Sequence, residues 1–325
     1  MSEPDPESRS RALRRAQRQA RIFTALTVVL AIIGISAICY PFVLQTIDSF
    51  RQASRSQQIN QQVSHWPTAQ VRAALQAAHD YNAQLAQQGQ AVIGENVDPF
   101  TSQAGQSTTK PDEDLASSKD AAYMSLLNES YDGIMGSVEI PKISLNLPIY
   151  HGTGTNALNR GAGHLYGTSL PVGGKNTHTV LSGHRGMVEA LMFTRIDELQ
   201  SGDNVYIHVL GTTLGYQIDS IRVILPTEGE QYLRVVPGQD RITLLTCTPY
   251  GVNTHRLLVS GHRVAIPSQA PYPQDAQQDM RMILVRIALL TVLGAAITCL
   301  IVRSLMRCKP RRSGTVQRMH HVQEC

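Results

Sequence analysis

A single cysteine stands where a short apolar run ends, in the stretch "TLLTCTPYGVNTHR" at residues 243–256. The run before Cys247 is typical of a β-strand, and Pro249 and Gly251 after it favour a turn. Arg256 then opens a second strand-like run. If these two strands pair across the turn, Arg256 lies beside Cys247, where its permanently charged guanidinium can stabilise a thiolate or an oxyanion. The residue types therefore suit attack of a cysteine on an acyl carbon.

Such chemistry also needs a proton carrier, and a histidine is the usual one. His184 in "VLSGHRG" follows an apolar β-type run and is flanked by glycines. Like Cys247, it therefore stands at the end of a strand-like run. The residues alone leave other candidates open: His65, His79, His151, His164, His178, His208, His255 and His262. A metal site of His178, His184 and Cys247 lacks the usual ligand spacing, so we expect neither a metal nor another cofactor.

Two apolar segments predict membrane spans, at residues 22–44 and 282–302. Each is near the 20 or so residues that cross a bilayer as a helix. Basic tails flank them at residues 1–21 and 303–325, which places both termini in the cytoplasm and the rest outside, in a cell-membrane protein. A cleaved signal peptide is the rival interpretation of the first segment, but its apolar run is long for one and no A-x-A-like site closes it.

The five cysteines divide between these compartments, with Cys39 and Cys299 in the predicted spans and Cys308 and Cys325 in the C-terminal tail. Cys247 alone falls in the exported part, so that part cannot form a disulfide within the chain. The formal net charge of +4 comes largely from the tails. Without aromatic residues among the basic ones, it gives no indication of a nucleic-acid partner.

The composition and the spacing of apolar residues change along the exported part. Residues 45–96 carry apolar residues at helical spacing and predict a stalk, a coiled segment or a cap, while residues 97–136 predict a mobile loop. Short alternating runs broken by Gly, Pro and Asn fill residues 137–266 and predict a closed β-barrel, and residues 267–281 predict a linker.

Three long stretches resemble the sortase family, and within it the pilus-assembling class C. They are "GIMGSVEIPKISLNLPIYHGT", "GAGHLYGTSLPVGGKNTHTVLSGHRG" and "CTPYGVNTHRLLVSGHR". The resemblance implies a mainly β fold: an eight-stranded sortase-type barrel with an N-terminal helical extension and lid, plus two transmembrane helices. It also implies that Cys247 is the nucleophile, His184 the general acid and base, and Arg256 the oxyanion or substrate-positioning residue.

The implied reaction is transpeptidation of an LPxTG-type sorting signal. Cys247 would cleave the Thr–Gly bond of a pilin subunit, and the thioacyl-enzyme would pass to a lysine amine of another pilin. The resemblance extends to "VDPF", where Asp98, Pro99 and Phe100 would form a lid, with Asp98 pairing with Arg256 and Phe100 covering Cys247. This aromatic is Phe where the class often has Trp.

Three alternatives remain open on the sequence. A housekeeping-type sortase would share the chemistry but attach proteins to peptidoglycan. A secreted thiol protease would resolve the same acyl-enzyme with water. A membrane-tethered binding or stalk protein would use its Gln-rich helices instead, with Cys247 as a structural residue. The reactivity of the Cys247 thiol separates the last of these from the enzymes.

Overall fold

The computed structural model describes residues 6–95, 112–128, 132–187 and 189–266, together with parts of 283–299. The chain divides into two compact units. One comprises Met1–Cys39 and Ile283–Cys325, and the other is Tyr40–Met282. The predicted lid residues Asp98, Pro99 and Phe100 lie outside the described residues.

Helix α1 (Pro6–Ser64) carries the first apolar segment. Within the part of the chain that the structure describes, Arg14–Ile59 is the one stretch long and apolar enough to cross a membrane. The predicted second span contributes a shorter apolar helix, Ile287–Ala296. A bilayer crossing takes about 20 helical residues, so this shorter helix does not by itself establish the second span.

Helix α2 (Thr68–Gln88) packs against the domain that follows it. The side-chain amide of its buried Asn82 donates to the Leu170 carbonyl at 3.1 Å and accepts from the Leu170 N–H at 2.7 Å. Ala78 is fully buried in the main core. Of the roles expected for this helical region, these contacts support a cap on the barrel.

Two short helices, α3 (Ala116–Lys119) and α4 (Ala121–Ser125), lie inside the region predicted as a mobile loop. Asp120 caps α4 by accepting from the Tyr123 N–H at 3.0 Å. Tyr123 itself is completely buried. A capped helix and a buried aromatic ring give this polar stretch the structure that its composition did not predict.

Eight strands close into a barrel in the order β1-β2-β3-β4-β7-β8-β6-β5. Their bounds are β1 Ile134–Ile140, β2 Leu145–His151, β3 Ala162–His164, β4 Thr177–Ser182, β5 Asn204–Val209, β6 Thr212–Ile224, β7 Asp240–Thr248 and β8 His255–Val264. The β2–β3 and β4–β7 pairs are parallel, and the others are antiparallel. The expected eight-stranded barrel is confirmed. Two further short helices, α5 (Thr155–Arg160) and α6 (Glu230–Leu233), lie between strands.

The two faces of the sheet bury different sets of side chains because successive residues of a strand point to opposite faces. Leu244 of β7 and Leu257 of β8 belong to the main core. Their neighbours Leu245 and Leu258 belong to a second cluster on the other face. Cys247, two residues after Leu245, is part of this second cluster.

Candidate active site

The hairpin of β7 and β8 brings the cysteine and the arginine together. Cys247 is the register partner of Arg256 across this antiparallel pair. Directly opposite residues in such a pair project to the same face, within contact distance of each other. The adjacency expected from the strand and turn pattern is therefore confirmed.

The parallel pairing of β4 with β7 sets the position of His184. Ser182 at the end of β4 is the register partner of Leu245. The chain continues alongside β7, because the Gly183 N–H donates to the Leu245 carbonyl at 3.1 Å and Thr246 Oγ1 donates to the Gly183 carbonyl at 2.7 Å. His184 lies two residues after Ser182, as Cys247 lies two residues after Leu245. The two residues are therefore level along the parallel chains.

Gly183 is needed at this point because a side chain there has no room. A Cβ on Gly183 would lie 2.7 Å from the Phe193 ring. The Phe193 N–H also donates to the carbonyl of His184 at 3.0 Å. The ring contact and this hydrogen bond fix the backbone from which the His184 side chain projects.

The site is buried. Cys247 is 0% exposed, and His184 and Arg256 are each 6% exposed. The surrounding side chains are mostly aliphatic: Leu158, Leu165, Val180, Ile224, Leu233, Leu245 and Leu258, with Ile93 and Tyr232 packed against them. An apolar site disfavours ionisation of a thiol, and a neighbouring guanidinium offsets this cost.

Burial lowers the pKa of His184 below its ordinary value near 6.5. A lowered pKa keeps the imidazole neutral at physiological pH, with one ring nitrogen able to accept a proton. The neutral ring beside a buried thiol suits proton transfer in both directions during acyl transfer.

Two backbone carbonyls orient Arg256. Its Nη1 donates to the Asn253 carbonyl at 3.2 Å and to the His255 carbonyl at 3.1 Å. Asn253 lies in the turn between β7 and β8, and His255 is the first residue of β8. Because the guanidinium is planar, fixing one nitrogen through this turn limits the directions in which the other donors can point.

Arg185 is a residue to which the sequence assigned no role. Its Nη1 donates to Thr248 Oγ1 at 3.1 Å, and its Nη2 forms an ion pair with Asp197. Arg185 directly follows His184, and Thr248 directly follows Cys247. The only sequence signal for this link is its place in "VLSGHRG", next to the histidine.

The other candidate histidines are placed in different surroundings. His151, His164 and His178 are buried with their ring nitrogens in hydrogen bonds. His208 and His262 pair with Glu139 and Asp219. His65 and His79 are exposed, and His255 contacts Thr254. His184, just after β4, is level with Cys247, whereas His255 on β8 pairs with Thr248 and therefore faces the other side of the sheet.

The structure gives no support to a metal site of His178, His184 and Cys247. Nδ1 of His178 donates to the Arg234 carbonyl at 2.9 Å, and its Nε2 accepts from Thr243 Oγ1 at 2.8 Å. Within the described ranges, no group of three or more His, Cys, Asp or Glu side chains is placed to hold a metal ion.

The barrel topology and the grouping of Cys247, His184 and Arg256 on one face of the sheet together indicate the class of protein. The sortase domain family matches residues 138–264. Sortase C-1 from Actinomyces oris is 42% identical, with a TM-score of 0.52 over 61% of this chain and 99% of that chain. Sortase C of Streptococcus pneumoniae, in a structure addressing pilin substrate specificity, is 38% identical, with a TM-score of 0.55 over 67% and 99% of the two chains.

A lid mutant of sortase A from Corynebacterium diphtheriae is also similar, at 38% identity and a TM-score of 0.51 over 62% of this chain and 97% of that chain. The curated relatives that match are sortases A and D, and the chain spans 47 to 63% of their length. The chain belongs to the sortase family, and its structural neighbours include class C sortases.

Proposed function

We propose that this chain is a membrane-tethered cysteine transpeptidase that joins pilin subunits. The observation that carries the proposal is the register of β7, which sets Cys247 opposite Arg256 on β8 and level with His184 after β4. A thiol, an imidazole and a guanidinium on one buried face supply a nucleophile, a proton carrier and an oxyanion donor. Family membership supports the same chemistry.

The first half-reaction forms a thioester. Neutral His184 takes the proton of the Cys247 thiol, and the thiolate attacks the threonine carbonyl carbon of an LPxTG-type signal. The negative charge that develops on the carbonyl oxygen is stabilised by Arg256. The Thr–Gly bond breaks as protonated His184 donates its proton to the leaving glycine amine. The apolar walls around Cys247 exclude water from the thioester.

The second half-reaction forms the isopeptide bond. A lysine amine of the next pilin attacks the thioester carbonyl and gives its excess proton to His184, and the Cys247 thiolate leaves. The net change is one peptide bond broken and one amide bond formed. The class C neighbours, one of them studied for pilin substrate specificity, support pilins as both donor and acceptor.

The long apolar helix supports a tether to the membrane. An enzyme and a precursor that are both held at one membrane surface meet at a raised effective concentration. We also propose that both termini are cytoplasmic and that the barrel faces outward, as the basic tails predict.

We propose that Asp98, Pro99 and Phe100 act as a lid over this site. Ile93, four residues before Val97, packs against the apolar cluster that contains Cys247. The chain therefore approaches the site just before "VDPF". The related sortase A from C. diphtheriae has a lid, since a lid mutant of it has been studied.

The test is to trap the acyl-enzyme in a variant in which Cys39, Cys299, Cys308 and Cys325 are serine, so that Cys247 is the sole thiol. The purified full chain, in detergent, is mixed with an LPxTG peptide, and mass spectrometry looks for the acyl group. We expect an adduct on Cys247 with release of the glycine-terminated fragment. Cys247→Ala in the same background is the matched control, and an equal adduct there would overturn the proposal.

Adding acceptors to the trapped enzyme tests the second half-reaction. We expect a pilin peptide containing lysine to release the acyl group as an isopeptide-linked product. Preferential release by a peptidoglycan stem peptide would replace pilin joining with cell-wall attachment, and preferential release by water would indicate a thiol protease. The absence of any adduct would leave the tethered binding protein as the better interpretation.

The lid has a separate readout, the rate at which a small thiol reagent labels Cys247. We expect Asp98→Ala and Phe100→Ala to speed labelling, because each removes a contact that holds the lid closed. Equal rates in these variants and the parent would refute the lid, without bearing on the acyl-transfer chemistry.

A further inference from the structure

A cleft on the opposite side of α5 from the catalytic cluster holds a second group of cations. It has a volume of about 620 Å³ and is lined by Arg55 and Ile59 of α1, by His65 just after that helix, and from the barrel side by Asp132, Ile134 and Arg160. Helix α5 separates the two regions, because its Leu158 packs in the cluster around Cys247 whereas Arg160 lines the cleft. The proposed transpeptidation does not use this cleft.

The two guanidinium groups have different neighbours within the described residues. Arg160 stacks over the Tyr150 ring, with its guanidinium carbon 4.6 Å from the ring centroid. Arg55 acts electrostatically on Asp48, two turns earlier on α1. Neither arginine forms a hydrogen bond or an ion pair with any residue that the structure describes. Guanidinium groups that meet in one cleft with their donors available match the geometry of a phosphate or a carboxylate.

A smaller cavity of about 300 Å³ adjoins the cleft and shares Asp132 and Arg160 with it. It is lined by Tyr150, which is only 3% exposed. The Tyr150 hydroxyl is buried and has no hydrogen-bond partner among the residues that the structure describes. A buried hydroxyl without a partner costs free energy, and a ligand hydroxyl in this cavity would supply the missing hydrogen bond.

We propose that this pair of cavities binds a phosphate ester of a small polyol. The phosphate would lie between Arg55 and Arg160, and a ligand hydroxyl would reach the Tyr150 hydroxyl. Among the described lining residues, Asp132 is the carboxylate common to both cavities, so its charge opposes an anionic ligand and limits the affinity. Free glycerol phosphate and a glycerol phosphate lipid headgroup share this chemistry, and the experiment separates them.

Trp66 provides the signal for the test. It is the only tryptophan in the chain, directly follows His65 of the cleft, and is partly buried against the main core. The full chain is placed in phosphatidylcholine nanodiscs and titrated with sn-glycerol 3-phosphate while Trp66 fluorescence is recorded. We expect a saturable change that glycerol alone does not produce.

Variants identify the site. We expect Arg55→Gln and Arg160→Gln each to weaken binding about tenfold, the usual effect of losing a charge-assisted hydrogen bond. Asp132→Asn should tighten binding because it removes the opposing charge. Arg51→Gln, one turn away on α1 and outside the cleft, is the matched control and should leave binding unchanged. Thermal unfolding of each variant shows whether it is folded. Arg160→Lys keeps the positive charge but removes the planar guanidinium donors.

Nanodiscs that contain phosphatidylglycerol distinguish the sources of the ligand. If the lipid headgroup already fills the site, the response to added glycerol phosphate is lost there; if the ligand is soluble, the response persists. Either result supports the phosphate site. The proposal is overturned if phosphatidylcholine nanodiscs give no response, if Arg51→Gln weakens binding as much as Arg55→Gln, or if Asp132→Asn weakens it.

Discussion

Two regions of the barrel bury histidines, and their surroundings differ. His164 on β3 lies in a polar network, where the Tyr123 hydroxyl donates to its Nδ1 at 2.9 Å and its Nε2 donates to the Ser169 carbonyl at 2.9 Å. His184 follows β4 and is level with Cys247, which belongs to an apolar cluster and is paired with Arg256. One histidine is held by groups of the fold, and the other lies beside groups that can react.

The network around His164 is closed on itself. The Tyr123 hydroxyl accepts from the Gly152 N–H at 2.9 Å, so each polar group in this chain of contacts has a partner. Burial lowers the pKa of His164 to about 4, and that of His178 to about 4 as well. A neutral ring that must keep both hydrogen bonds cannot carry protons during catalysis. Burial alone therefore does not mark a catalytic histidine; the groups beside the ring do.

We expect the largest difference between the two regions in the rate of transpeptidation. His184→Ala removes the proposed proton carrier, which contributes about 10² to 10⁴-fold in comparable enzymes. We expect transpeptidation of an LPxTG peptide to fall by that factor at a temperature where thermal unfolding shows the variant to be folded. His255→Ala, adjacent to Arg256 but not level with Cys247, is the control. Equal losses of rate in both variants would remove His184 from its proposed role.

The pH dependence of stability sharpens the comparison. The unfolded chain has histidines with pKa near 6.5, whereas His164 and His178 have pKa values of about 4 in the fold. Between these values the unfolded state binds more protons, so stability is complete above pH 6.5 or so and is lost as pH falls towards 4. Each histidine contributes about 3 kcal/mol to this loss.

Thermal unfolding of the full chain between pH 7 and pH 4 measures the effect. His164→Gln removes one of the histidines whose pKa burial lowers, so we expect a shallower decline than in the parent. An identical slope in the two proteins would show that another group controls acid unfolding. His184 contributes in the same direction, because burial lowers its pKa too.

Removing the His164 ring should damage the fold while leaving the chemistry. His164→Ala leaves a cavity and removes the ring nitrogen that accepts from the Tyr123 hydroxyl and the ring N–H that donates to the Ser169 carbonyl. We expect a loss of about 2 to 4 kcal/mol in the free energy of unfolding. His208→Ala, which breaks a surface pair with Glu139, is expected to cost less than about 1 kcal/mol. Denaturant unfolding followed by Trp66 fluorescence compares the two, and similar costs would contradict the assignment of His164 to the structural network.

The two regions also show what the sequence could predict. The barrel predicted at residues 137–266 agrees with strands that run from Ile134 to Val264, because each strand is a short apolar run bounded by turn residues. The approach of Arg256 to Cys247 follows from a local hairpin. His184 could not be selected from the residues alone, because it reaches Cys247 through a parallel pairing of strands far apart in sequence. The family resemblance, rather than periodicity, singled it out.

The link between Arg185 and Thr248 was missed for the same reason, since it joins residues 63 positions apart. We expect Arg185 to act as a positioning residue, because its guanidinium connects the residue after His184 to the residue after Cys247. Arg185→Gln should lower kcat for peptide transfer by about tenfold, the cost of losing a charge-assisted hydrogen bond in the transition state. KM should change little, because the described contacts of Arg185 are with protein groups, Thr248 and Asp197.

Two further variants distinguish a positioning role of Arg185 from a structural role. Thr248→Val removes the hydroxyl that Arg185 contacts but keeps the shape of the side chain, so it should reproduce most of the loss in kcat. Asp197→Asn weakens the half-exposed ion pair and should have a smaller effect, because solvent screens that contact. A purely structural role would lower the unfolding temperature of Arg185→Gln without lowering kcat of the folded fraction. That result would assign Arg185, like His164, to the groups that hold the fold together.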